Sequence, residues 1–181
     1  MKNNKIIITV ISGSDRKNSK TNMAAKIAVG IFRGMEGNEV DYFDPLSLRL
    51  PFPGEDKYER NVEELNRSLK KADGIILATP EYNGNISAAL KLFLENFDWD
   101  EIKGKPYNFV GVASSRYGAT KSIESVKCSC NHEGGVILPG SVSIGSAGHK
   151  FDADGNLLDE EILARLRRMA ESMIEYIRLR S

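Results

Sequence analysis

Three stretches of the chain are apolar at nearly every position: KIIITVIS at 5–12, GIILATP at 74–80 and YNFVGVASS at 107–115. Short, β-branched runs without alternation are the pattern of strands covered on both faces, as in a parallel sheet. NEVDYFD at 38–44 alternates instead, which predicts a half-buried edge strand. GGVILPGSVSIG at 134–145 is rich in β-formers but broken by Pro139 and Gly140, and completes an expected set of five strands.

Helical periodicity fills the intervals, at 20–33, 58–72, 86–97, 120–128 and 159–180. In the last of these Ile162, Leu163, Leu166, Met169, Ala170, Met173, Ile174 and Ile177 recur every three or four residues, forming one apolar stripe behind an Asp159 N-cap. Alternating strand and helix predicts an α/β fold with helices on both faces of a parallel sheet. Such sheets bind ligands at the carboxyl ends of their strands, which directs attention to the loops at 13–21, 80–85 and 114–118.

Composition narrows the ligand. The 181 residues suit a single domain spanning 1–181, and 25 Lys and Arg balance 25 Asp and Glu, leaving no global field for nucleic acid or an anionic membrane. The apolar run at 6–11 is too short for a signal-peptide core and nothing approaches a membrane span, so a cytoplasmic protein is expected. Cys128 and Cys130 are too close in sequence for an ordinary disulfide.

The first loop, SGSDRKNSKTN at 12–22, follows a strand and opens a helix, where free amides and the helix dipole favour an anion. Ser14, Ser19, Thr21 and Asn22 add short polar groups, and Arg16 a fork-shaped cation. Neither GxxxxGK[ST] nor GxGxxG is present, so a terminal monophosphate fits better than a triphosphate or a dinucleotide pyrophosphate. The same serines and asparagines would also serve simply to cap a helix.

In the second loop, TPEYNGN at 79–85, Pro80 ends the ladder, Asn83-Gly84 supplies a tight turn, and Tyr82 offers an aromatic body with a polar tip beside a flat ligand. Glu81 is placed to hydrogen-bond backbone amides rather than to act as acid or base.

GSDRKNS after the first strand, PEYNGN after the third and SSRYG after the fourth, in that order, resemble the NAD(P)H-dependent FMN reductases. The resemblance implies a flavodoxin-like three-layer sandwich with a five-stranded parallel sheet in the order 2-1-3-4-5. It implies FMN as cofactor, NADPH or NADH as co-substrate, and relatives that reduce quinones, azo dyes and chromate. By resemblance Ser14, Arg16, Ser19, Thr21 and Asn22 would hold the FMN phosphate. Pro80, Glu81, Tyr82, Asn83 and Gly84 would border the ring, with Ser115, Arg116, Tyr117 and Gly118 as a third wall. It further implies ping-pong hydride transfer to a small-molecule acceptor and a homodimer or homotetramer. No catalytic side chain is required, since the flavin carries the chemistry. The chain departs from the family's usual residues at Ser87, where proline is common, and at Gly118-Ala119 in place of a glycine pair.

Other signals carry less. CSCNH at 128–132 would splay its soft ligands apart in a helix and lacks metal-site spacing, so no metal is expected. FDADGNLLDEE at 151–161 has Lys150 where a calcium loop needs aspartate, and reads as a turn at Asp154-Gly155. Trp99 reads as the end of the third helix. The rival function is a flavodoxin-type one-electron carrier without nicotinamide activity, against which Arg16 and the balanced charge weigh. A regulatory FMN-binding module with vestigial activity is another. A receiver domain lacks its aspartate at Leu77-Ala78-Thr79.

Overall fold

The computed structural model describes residues 5–55 and 58–180. Strands β1 (Ile6–Ser12), β2 (Asn38–Phe43), β3 (Gly74–Pro80) and β4 (Pro106–Val112) are all parallel, in the order β2-β1-β3-β4. The expected fifth strand is two short pieces, β5 (Val136–Ile137) and β6 (Val142–Ile144), both paired with β4. The break falls where Pro139 lacks an N–H and Gly140 takes φ +90°, and Asn108 Nδ2 donates to the Pro139 carbonyl at 2.9 Å across the gap. Counted as one interrupted strand, this is the 2-1-3-4-5 sheet that the resemblance implied.

Helices α1 (Lys20–Arg33) and α6 (Glu160–Arg180) cover one face, while α2 (Glu59–Lys71), α3 (Ala88–Glu95) and α5 (Thr120–His132) cover the other. All seven residues of β3 are buried: Ile76 and Ala78 join Phe32, Leu166 and Met173, and Ile75 and Leu77 join Leu65, Phe93 and Val126. Each such Ile, Leu, Met or Phe side chain contributes about 1.5–3 kcal/mol by leaving water, which explains why these runs show no polar alternation. Seven of the eight residues of the α6 stripe are buried, Leu163 being the one only partly covered, and Asp159 caps the helix by accepting from the Glu161 and Ile162 amides, both at 3.1 Å.

Two helix boundaries differ from the sequence expectation. The third helix is shorter than 86–97 because Ser87 caps it, and Trp99 opens a separate turn, α4 (Trp99–Ile102), with its ring 5.1 Å from that of Phe97. The fourth expected helix, α5, runs past 128 to His132, because Cys130 continues its apolar face. Cys128 and His132 are exposed while Cys130 is buried, so the three diverge as a helix requires. Desolvation pushes the Cys130 thiol up to about 12. The 151–161 segment is the expected turn, with Gly155 at φ +89° and Asp152 accepting from the Asn156 amide at 2.8 Å. Among the described residues no helix is long and apolar enough to cross a membrane.

Candidate functional site

The parallel strands bring the three predicted loops to one edge of the sheet. β1 and β3 pair up to Ser12 and Ala78, and β3 and β4 up to Pro80 and Val112. Gly13 N–H then donates to the Ala78 carbonyl at 2.8 Å and Glu81 N–H to the Val112 carbonyl at 3.0 Å, so each loop leaves the sheet beside its neighbour.

The first loop is held from beneath. Asn22, in the first turn of α1, accepts from Ser12 Oγ at 2.5 Å and donates from Nδ2 to the Ser14 carbonyl at 3.2 Å. Ser19 is the N-cap, its Oγ accepting from the Thr21 and Asn22 amides at 3.1 and 3.3 Å. Thr21 lies buried beside it. Ser14 is treated differently: its side chain is 1% exposed, yet its Oγ has no hydrogen-bond partner. The Ser14, Asp15, Arg16 and Lys17 amides likewise donate to no acceptor among the described residues. Asn18 then turns the chain into the cap at φ +60°, a conformation asparagine tolerates. The loop therefore combines one buried hydroxyl and a run of amides, all able to donate and none engaged.

Arg16 pairs with no carboxylate among the described residues, and its guanidinium lies 4.7 Å from the centre of the Tyr82 ring. That stack joins the first loop to the second. In the second loop the Tyr82 and Asn85 amides and carbonyls bond to each other, at 3.0 and 2.9 Å, closing a two-residue turn. Asn83 at φ +53° and Gly84 at φ +74° have the positive dihedrals that such a turn requires, and their amides meet no acceptor among the described residues. Glu81 accepts from the Ser122 amide at 3.1 Å in the first turn of α5. That helix has neither a capping side chain nor an acid of its own there, so Glu81 supplies both from another loop.

The third loop is braced by serines. Ser115 Oγ accepts from the Tyr117 amide at 3.1 Å, and its carbonyl accepts from the Gly118 and Ser146 amides at 3.2 and 2.9 Å. Gly118 has φ +74°, and a Cβ there would lie 2.2 Å from Ser143 Oγ, itself bonded to the Ala119 amide at 2.8 Å. Arg116 and Tyr117 stand outside this frame: the guanidinium is 4.8 Å from the Tyr117 ring centre, Nη2 donates to the phenol oxygen at 2.7 Å, and Tyr117 is 74% exposed.

Sequence reasoning named Ser19, Asn22, Glu81 and Ser115 but missed other residues that fix these loops. Ser87 preceding an apolar helical run was readable as an N-cap, whereas nothing around Ser122 or Ser143 signals a partner in another loop. It also missed Asp44, buried after β2, which accepts from the Leu46 and Ser47 amides at 2.9 Å each and from Tyr42 Oη at 2.9 Å. Burial, and then the neighbouring Asp44, hold the Tyr42 phenol well above its ordinary range.

Comparison with known proteins gives the family. Residues 6–149 match the NADPH-dependent FMN reductase family. The chain is 31% identical over 136 residues to the NADH-dependent flavin reductase subunit 2 of Lactobacillus johnsonii, covering 70% of this chain and 74% of that protein. It is 25% identical over 178 residues to the FMN-dependent NADPH-azoreductase of Staphylococcus haemolyticus, covering 93% of each. In three dimensions it resembles FerB, a flavoenzyme NAD(P)H:(acceptor) oxidoreductase from Paracoccus denitrificans, with a TM-score of 0.80 and 22% identity over 96% of this chain and 97% of that one.

Proposed function

Because the chain belongs to the NADPH-dependent FMN reductase family, we propose that its three loops hold FMN and that NADPH or NADH and a small oxidised acceptor use the same open side in turn. Free flavin and quinones are the acceptor classes to assay first. The S. haemolyticus azoreductase adds azo compounds as a third.

One observation carries the reading: a buried Ser14 hydroxyl without a partner, at the head of four amides without acceptors. An unpaired buried hydroxyl costs about 1–3 kcal/mol, and an acceptor-only dianion with several oxygens removes that cost. The FMN phosphate is such a group, and the residues present fit it. When bound, FMN supplies the hydride-accepting and electron-releasing chemistry.

The chain's own residues bind and orient. Ser14 and the following amides donate to the phosphate, with Arg16 closing over it from the Tyr82 ring. Ser19, Thr21 and Asn22 frame that seat. Pro80 and Glu81 fix the second loop so that the Tyr82 ring and the free Asn83 and Gly84 amides face the isoalloxazine edge, where donors stabilise negative charge on reduction. Ser115 and Gly118 shape the third wall. Arg116, held on Tyr117, meets the phosphates of the nicotinamide nucleotide. The reading includes residues 1–181 as one domain, a homodimer or homotetramer as the working form, and a cytoplasmic location.

The test is kinetic. With FMN-loaded protein, double-reciprocal plots for NADPH at several quinone concentrations should be parallel, and anaerobic NADPH should bleach the bound flavin. Bound flavin that neither NADPH nor NADH bleaches would establish the one-electron carrier in its place.

A further inference from the structure

Ser87 stands where the resemblance implied proline, and it does two things that proline cannot. Its buried Oγ accepts from the Leu90 amide at 3.0 Å, capping α3, and donates to the carbonyl of Gly13 at 2.5 Å, 74 positions earlier in the chain. Gly13 sits directly on α3 at this point, where a Cβ would come within 2.4 Å of the Leu90 Cβ.

The direction of that carbonyl matters for the site. The peptide linking Gly13 to Ser14 is planar and trans, so its C=O and N–H point in opposite directions. With the C=O fixed toward α3 by Ser87, the Ser14 N–H must point away from α3, and it is the first of the amides that meet no acceptor. Asn22 anchors the next carbonyl, that of Ser14, from the α1 side. Two successive peptides of the loop are thus pinned by side chains from two different helices, leaving their donor edges free.

We infer that Ser87 is a positioning residue for the phosphate end of the flavin: through the Gly13 carbonyl it aims the Ser14 amide into the seat. The inference rests on the FMN reading above and extends it to a residue outside the three loops. It predicts an effect specific to the phosphate, because riboflavin, which lacks that group, has nothing to lose at the Ser14 amide.

The experiment uses Ser87→Ala and Ser87→Gly in the full chain, titrated with FMN and with riboflavin by flavin fluorescence, alongside urea unfolding of the apoproteins. Glycine is nearly as good an N-cap as serine, so Ser87→Gly removes the pin while largely sparing the cap, and keeps the test available if the alanine variant folds poorly. Both variants should bind FMN roughly tenfold more weakly, the size of one lost charge-assisted hydrogen bond, with riboflavin affinity changed less than about twofold. Equal weakening for both flavins, or FMN affinity unchanged in Ser87→Gly, would overturn the assignment. Wild-type protein that takes up no FMN would instead refute the reading beneath it.

Discussion

The two edges of the sheet treat polar groups in opposite ways. At the amino edge, Lys105 Nζ donates to the Leu69, Lys70 and Ala72 carbonyls at 2.8, 2.6 and 2.7 Å, sealing the end of α2. Beside it Asp73 accepts from the Ile7 amide at 2.8 Å and returns its own amide to the Ile7 carbonyl at 2.7 Å. At the carboxyl edge, Ser14 Oγ and the amides of Ser14 to Lys17, Asn83 and Gly84 are left without acceptors. The amino edge commits these groups to the fold, although Asn38 Oδ1 and Tyr107 Oη, near the starts of β2 and β4, are also buried without partners. The other edge leaves the buried Ser14 Oγ unpaired beside a row of amides that meet no protein acceptor, donors that are open to an incoming acceptor.

The contrast can be broken by substitution at either edge. Lys105→Met should have the largest effect on folding, lowering stability by about 3 kcal/mol in urea unfolding because three carbonyls lose a charged donor, while FMN affinity stays within about twofold. Ser14→Ala should do the reverse. FMN affinity should fall about 10- to 100-fold, from the loss of one charge-assisted hydrogen bond, and the apoprotein should be as stable as wild type or slightly more so. A Lys105 variant that loses FMN as strongly as Ser14→Ala would erase the distinction.

The interior between the edges provides a third reference. Cys130 is buried without a charge partner, and its thiol is raised from 9.0 to about 12 by desolvation alone. Its folded state therefore holds the proton where the unfolded state releases it, so this group's contribution to stability is present below pH 9 and falls by up to about 1.4 kcal/mol per pH unit above it. Cys130→Ala should flatten that decline in urea midpoints measured from pH 8 to 10. In native protein a thiol reagent should label the exposed Cys128 fast and Cys130 only on unfolding.

The smallest effect is expected at the rim. Arg116→Ala should raise the KM for NADPH several-fold with kcat unchanged, the signature of lost uniform binding by about 1 kcal/mol. An unchanged KM would leave the Arg116–Tyr117 stack as surface only.

How much of this was readable in advance divides along physical lines. The strands and the stripe of α6 follow from local periodicity, and the interruption at Pro139-Gly140 follows from a missing donor and a positive φ. The rule that open α/β sheets bind at their carboxyl edge located the loops, and PEYNGN and GSDRKNS gave the family that the comparisons bear out. The end of α5 was missed because CSCNH looks polar, although a buried cysteine behaves as a small apolar residue. The framing bonds were missed for a different reason. Ser87 meets Gly13 across 74 positions and Ser143 meets Ala119 across 24, distances over which no local pattern carries information, and for Glu81 the role of accepting a backbone amide was readable but not its partner Ser122, 41 positions away. Glu81 is the instructive case. Its chemistry suggested an acid, its surroundings suggested a scaffold, and the structure gives it the Ser122 amide as a partner.

The most direct test of the central claim is the visible absorption spectrum of the full chain after incubation with FMN and removal of the unbound flavin. Wild type should retain about one flavin per chain and Ser14→Ala a much smaller fraction, because one unpartnered hydroxyl and its neighbouring amides form the seat. A colourless wild-type protein, or a Ser14→Ala variant that retains FMN as fully as wild type at concentrations near the wild-type Kd, would contradict it.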